Sequence, residues 1–207
     1  MHARATADLQ SPDNRADASN GRARREREFA AGRRCAARAL LDAGAQDLTV
    51  GVSPDRSPRW PRGFVGSITH SGSFAWAAVA RDTALRSLGI DSEPIFDEAA
   101  LREAAPVALD ASEWRLAGRS DPATHATLVF SAKEALYKCL NPCTGVFFEF
   151  ADVQFESIDV DGANEGTFVL CLRGDLAAGF PRGSRFTGRY VVQHGHLHTA
   201  VELHRSA

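Results

Sequence analysis

Lysine is almost missing from this chain. Lys133 and Lys138 are the only two in 207 residues, so 22 of its 24 basic side chains are arginine. A plain positive charge elsewhere is arginine. The two exceptions, both inside FSAKEALYK (130–138), therefore mark positions where a compact ammonium does what a wide planar guanidinium cannot. Cysteine is scarce as well. Cys35, Cys139, Cys143 and Cys171 form no CxxC pair and follow no apolar leader, which points to a reduced, cytoplasmic setting. No apolar run approaches a bilayer span, so no membrane role is expected. Neither GxxxxGK nor GxGxxG occurs, and any nucleotide must be held some other way. A net charge of −2 and a pI near 6.4 argue against a general nucleic-acid binder.

The charge is unevenly spread. Residues 1–40 hold nine arginines against five acids, a patch suited to one anionic ligand. Within it, residues 1–20 are polar without a hydrophobic period and read as a disordered N-terminal tail. From Arg24 to Asp42 apolar residues recur at helical spacing between arginines. VSPDRSPRWPRG (52–63) reads as an extended loop, and FVGSITH (64–70) and FAWAAVA (74–80) as strands joined by the turn SGS. A third strand, LRSLGID, ends at Asp91. Residues 97–118 read as short helices broken at Pro106, and GRSDP (118–122) as the boundary between halves at 21–120 and 121–207. The strongest helix spans 123–140, closed by Asn141-Pro142, and VFFEF, ADVQFES, GTFVLCLR, SRFTGRYVVQ and HLHTAVEL follow as strands. The class is α+β.

Several residues have chemical potential. Asp91 and Glu93 alternate at a strand end, so their carboxylates share a face and suit a hard cation; a turn or cap role is the plainer alternative. Glu134 on the strong helix is either functional or an i,i+4 partner of Lys138. His70 stands beside Ser71-Gly72-Ser73, a turn suited to phosphate, or is simply solvated. His194, His196 and His198 alternate as zinc ligands would, though Gly195 among them suggests a hairpin tip. Cys139 and Cys143 read as idle thiols.

Three ordered blocks, GSITHS (66–71), GIDSEP (89–94) and FSAKEALYK (130–138), resemble the signature blocks of the 4'-phosphopantetheinyl transferases. The resemblance is closest to the enterobactin-synthetase type with FxxKEAxYK, and extends to EFAAGRRCAARAL (28–40) and SPRWPRGFVGS (57–67). It implies a pseudodimer of two similar α+β halves, with coenzyme A and Mg²⁺, or Mn²⁺ in its place, in the cleft between them. The implied activity is transfer of 4'-phosphopantetheine from coenzyme A to a serine of an acyl-, peptidyl- or aryl-carrier protein, by a monomer that needs no nucleic acid. A non-catalytic coenzyme A or carrier-binding module is the alternative. By the same resemblance Arg25, Arg33, Arg56, His70, Lys133 and Lys138 would contact coenzyme A. Asp91, Glu93 and Glu134 would hold the metal, Glu134 would be the base, and Lys133 would neutralise charge on the leaving oxygens.

Overall fold

A computed structural model of the chain describes residues 18–71, 74–118 and 120–205. Most of the expected tail, 1–17, and the tip of the expected SGS turn, Gly72-Ser73, lie outside the described residues. Helix α1 (Ala18–Asp42) comes first among the described residues and already includes 18–20, the last three residues of the expected tail. The described chain forms two compact units, one up to Arg86 and rejoined by Arg205, the other Ser87–His204.

In the first unit α1 packs on a hairpin of β3 (Phe64–Ser71) and β4 (Phe74–Arg81), preceded by the short antiparallel pair β1 (Gly51–Val52) and β2 (Pro58–Arg59). β2 and the second residue of β1 lie within the stretch expected to be loop, 52–63. The core is built from small side chains, Cys35, Ala36, Ala39, Ala75, Ala77 and Val79 around Leu40, so helix and hairpin approach closely. Gly32 shows how closely: a Cβ there would stand 2.8 Å from Ile68 Cγ2. The Cys35 thiol donates to the Ala75 carbonyl at 3.3 Å, tying helix to strand.

The second unit sets α4 (Pro122–Thr144) against a five-stranded sheet. The strand order is β5 (Leu85–Pro94), β9 (His196–His204), β8 (Arg185–Gln193), β7 (Glu165–Leu172) and β6 (Val153–Val160), and α2 (Glu98–Ala108) packs on α4. β6 to β9 are successive antiparallel neighbours. Asp121 caps α4 by accepting from the Thr124 amide, Pro122 starts it, and Gly145 at φ 65° ends it. Both prolines expected to break helices sit in a last turn instead, Pro106 in α2 and Pro142 in α4, where each forgoes only its own N–H and the closing bonds from Leu109 to Ala105 and from Gly145 to Asn141 still form. VFFEF is not a strand. Its rings wrap α4, with Phe147 and Phe148 edge-on to Tyr137, and a 3-10 turn at Phe150–Asp152 leads into β6.

The boundary between units falls at Arg86/Ser87, not at the 118–122 turn. The segment between them belongs with α4: α2 packs on it, Phe96, Ala105, Ala108 and Leu109 share its core, and Glu113 on α3 (Ala111–Arg115) adds a polar tie. Its side chain is 1% exposed, and one oxygen accepts from the Asp110 amide at 2.8 Å to complete a capping box. The other accepts from the Phe155 amide of β6 and from Lys133 Nζ of α4, both at 2.7 Å. The Lys133 ammonium also donates to the carbonyls of Ala108 at 2.7 Å and Phe150 at 3.2 Å. Three protons meet three acceptors from α2, α3 and the 3-10 turn, an arrangement a flat guanidinium cannot reproduce.

Removing one partner of a buried pair strands the other charge. Lys133→Met and Glu113→Leu should therefore each lower the unfolding free energy by about 3–5 kcal/mol. The double variant should lose clearly less than the sum of the two singles, because neither charge remains. Urea denaturation of the four proteins checks this, and additive losses would mean that the two side chains do not act as a pair.

Candidate functional site

The second unit gathers carboxylates where β5 meets α4. A Cβ on Gly89 would lie 1.9 Å from the Ala135 carbonyl oxygen and 2.5 Å from the Cys139 amide nitrogen, so only glycine lets the helix backbone rest on this strand. Strand alternation turns Asp91 and Glu93 to the same side as Gly89, and helix spacing puts Glu134 and Lys138 one turn apart. Asp91 is 3% exposed and receives the Lys138 ammonium at 2.6 Å. Lys138 thus bonds across elements, beyond the i,i+4 pairing with Glu134 that its spacing offers.

The electrostatics are those of crowded like charge. Burial first, and then Asp91 and Glu134, push the Glu93 carboxyl up to about 7, against the opposing pull of Lys138. Burial also raises Glu134, Asp91 adding to it and Lys138 opposing. Each acid feels the others, although among the described residues no three potential ligands have closed around one point. The donor set nevertheless suits a hard cation, being all carboxylate oxygen with repulsion a divalent ion would relieve. Lys138 brings a cation into the cluster through its bond to Asp91.

Glu134 has a second neighbourhood. With Lys133, Tyr137, Val107, Phe147 and Phe150 it lines a groove of about 370 Å³, whose exposed rim is Phe147 and Val107. Lys133 itself is 3% exposed and its protons are engaged as described above, so the expected contact with leaving oxygens is not how its ammonium is spent. Burial lowers its affinity for a proton, and Glu113 opposes that.

The first unit holds the other predicted residues. Arg25, Arg33, Arg56 and His70 line one groove of about 880 Å³, together with Phe29, Gly32, Ile68 and the acids Glu26 and Glu28. Arg33 lies over the Phe29 ring, 4.7 Å from its centroid, and burial lowers its proton affinity. Its Nη1 is buried with no hydrogen-bond partner among the described residues, which is the position of a donor awaiting an anion. Arg56 comes from the β1–β2 loop, where it adopts the left-handed conformation at φ 70°. His70 is half exposed and stands 3.9 Å from Glu28, which takes a 2.8 Å bond from Arg24.

The His194/His196/His198 run resolves as a hairpin tip. His194 at φ 51° and Gly195 at φ 74° form the two-residue turn between β8 and β9, and the rings of His196 and His198 stack 6.2 Å apart. All four cysteines are free thiols, and burial pushes Cys139 up to about 12. Two residues escaped the sequence reading. Glu113 was signalled by the spacing of Asp110 and Glu113, a capping-box pattern. His198 as a partner of Ser92, at 2.8 Å and 106 positions away, had no local signal.

Comparison with known proteins fits this division. The family model of the 4'-phosphopantetheinyl transferase N-terminal domain matches residues 13–80, and that of the 4'-phosphopantetheinyl transferase superfamily matches residues 87–192. The chain is 38% identical to 4'-phosphopantetheinyl transferase Npt of Nocardia iowensis, over 86% of this chain and 82% of that one. It is 36% identical to 4'-phosphopantetheinyl transferase Svp of Streptomyces mobaraensis, over 93% and 78%. Enterobactin synthase component D of Salmonella typhi is 38% identical over 57% of this chain and 49% of its own. Signature blocks, carboxylate cluster and full-length relatives agree: the chain belongs to the 4'-phosphopantetheinyl transferase superfamily.

Proposed function

We propose that this enzyme transfers 4'-phosphopantetheine from coenzyme A to a serine of an acyl-, peptidyl- or aryl-carrier protein in the cytoplasm, acting as a monomer with Mg²⁺ at Asp91, Glu93 and Glu134. The observation that carries the reading is the set of three mutually repelling carboxylates, with Lys138 among them, where α4 runs against Gly89. The serine oxygen forms a bond to the phosphorus that bears pantetheine. The bond from that phosphorus to the departing oxygen breaks, and 3',5'-ADP leaves.

When bound, Mg²⁺ or Mn²⁺ supplies positive charge to the pyrophosphate oxygens. The remaining work falls to side chains. Glu134, whose proton affinity burial raises, borders an open groove and accepts the serine proton. Lys138 orients Asp91 and lends its positive charge to the pyrophosphate. Lys133 is reassigned: it fixes the helix that carries Glu134 and does not touch the reacting atoms. In the first unit, Arg25, Arg33, Arg56 and His70 take the 3'-phosphate end of coenzyme A, with the buried Nη1 of Arg33 as the donor most in need of it. Phosphoryl-type transfer asks mainly for such positioning and charge.

The deciding experiment is the intact mass of an apo-carrier protein incubated with this enzyme, coenzyme A and Mg²⁺. A gain of one phosphopantetheine is expected; a carrier that binds without gaining mass would instead indicate a non-catalytic module. Asp91→Asn should cut the initial rate by at least about a hundredfold, or roughly 2.7 kcal/mol. It should also abolish the rise in melting temperature that Mg²⁺ gives the parent. Equal rates in excess chelator would sink the metal assignment. Arg33→Ala removes a ground-state contact and should raise KM for coenzyme A about tenfold or more while kcat holds within about twofold. A drop in kcat at unchanged KM would take the arginine groove out of coenzyme A binding.

A further inference from the structure

The side of the sheet turned away from α4 carries a second set of contacts to the carboxylate strand. Gly89 and Asp91 face α4, so alternation turns Ser92 to the opposite face. β9 is the neighbour of β5 in the sheet. On β9, Thr199 shares a 2.8 Å hydrogen bond with Ser131 of α4, so His196 and His198 lie on the same far face as Ser92. There the Ser92 hydroxyl, in a residue 1% exposed, and His198 Nδ1 share a hydrogen bond of 2.8 Å.

A second tie follows three residues later. The Ile95 amide donates to the Gly195 carbonyl at 3.0 Å, at the tip of the β8–β9 hairpin. That tip is short and stiff, because both His194 and Gly195 are left-handed, at φ 51° and 74°. One side-chain bond and one backbone bond thus bracket Glu93 and adjoin Asp91. Their carboxylates repel one another and Glu134, which tends to splay an end of strand left to itself. The stacking of His196 on His198, with ring planes 13° apart, limits how the His198 imidazole can turn.

We infer that His198 is a positioning residue for the metal-binding carboxylates, acting through Ser92 to hold the Asp91–Glu93 segment in the register that a divalent cation needs. It touches neither cation nor substrate. Groups that orient ligands from behind commonly change metal affinity by about 10–100-fold when removed. The inference rests on the metal reading of Asp91, Glu93 and Glu134 given above, and the test separates the two.

The readout is Mn²⁺ binding to the full chain without substrate, followed by electron paramagnetic resonance of free Mn²⁺, beside KM for coenzyme A and the melting temperature of the metal-free protein. His198→Ala and Ser92→Ala should each weaken Mn²⁺ binding about tenfold or more, with KM for coenzyme A unchanged. The double variant should be no weaker than either single, since both remove the same bond. His198→Asn, which offers a polar atom near the Nδ1 position, should restore binding to within about threefold of the parent. His204→Ala, an exposed histidine on the same strand, should bind as the parent does. Two results would overturn the inference: His198→Ala binding Mn²⁺ as tightly as the parent while Asp91→Asn does not, or His198→Asn failing to restore what His198→Ala loses. Undiminished Mn²⁺ binding by Asp91→Asn would instead refute the metal reading on which the inference stands.

Discussion

Two opposite charges removed almost wholly from water, Glu113 at 1% and Lys133 at 3% exposure, are tolerable only where each remaining valence is met. Glu113 meets this condition by taking an amide from its own helix cap, an amide from β6 and the ammonium. Lys133 does so with two carbonyls, one at the end of α2 and one in the turn before β6. The pair thereby fixes the rotation of α4 about its axis. Glu134 is the next residue and Lys138 lies about one turn beyond it, so the facing of both side chains descends from this buried contact.

The complementary constraint is steric. Gly89 lets two backbones approach so closely that no side chain fits between them, and that approach brings Asp91 within 2.6 Å of the Lys138 ammonium. Ion pair and glycine act on the same helix from different sides. One sets its rotation and the other its distance from the strand. Crowding of three acids is the result, and proton affinities that climb with burial are the signature of a site built to receive positive charge.

Much of this was legible from residue types. Strand and helix periods located β3, β4, α4 and β6 to β9 to within a few residues, and Arg25, Arg33, Arg56 and His70, named through the family resemblance, line one groove. What was not legible has physical causes. Pro106 and Pro142 looked like breaks because local sequence does not reveal that packing carries a helix through its final turn. The aromatic run 146–150 has strand-like composition, but Tyr137 offers its rings a better surface than a ladder would. The 118–122 turn looked like a boundary because the contacts that join 98–116 to α4, the apolar packing of α2 and the long-range bonds of Glu113, leave no local signal. The buried partner of Lys133 was hidden for the same reason: a lysine in a signature block gives no local sign of an acid 20 residues earlier.

The scarcity of lysine has a chemical consequence at the level of the whole molecule. One side-chain amine is sealed inside the second unit and the other, 28% exposed, is held against a carboxylate. Reagents that acylate or cross-link lysine therefore find almost nothing to react with, and the one lysine within reach belongs to the carboxylate cluster itself. A modest amine-directed label would report on occupancy of that cluster, and guanidinium-directed chemistry is the route to tagging the rest of the surface.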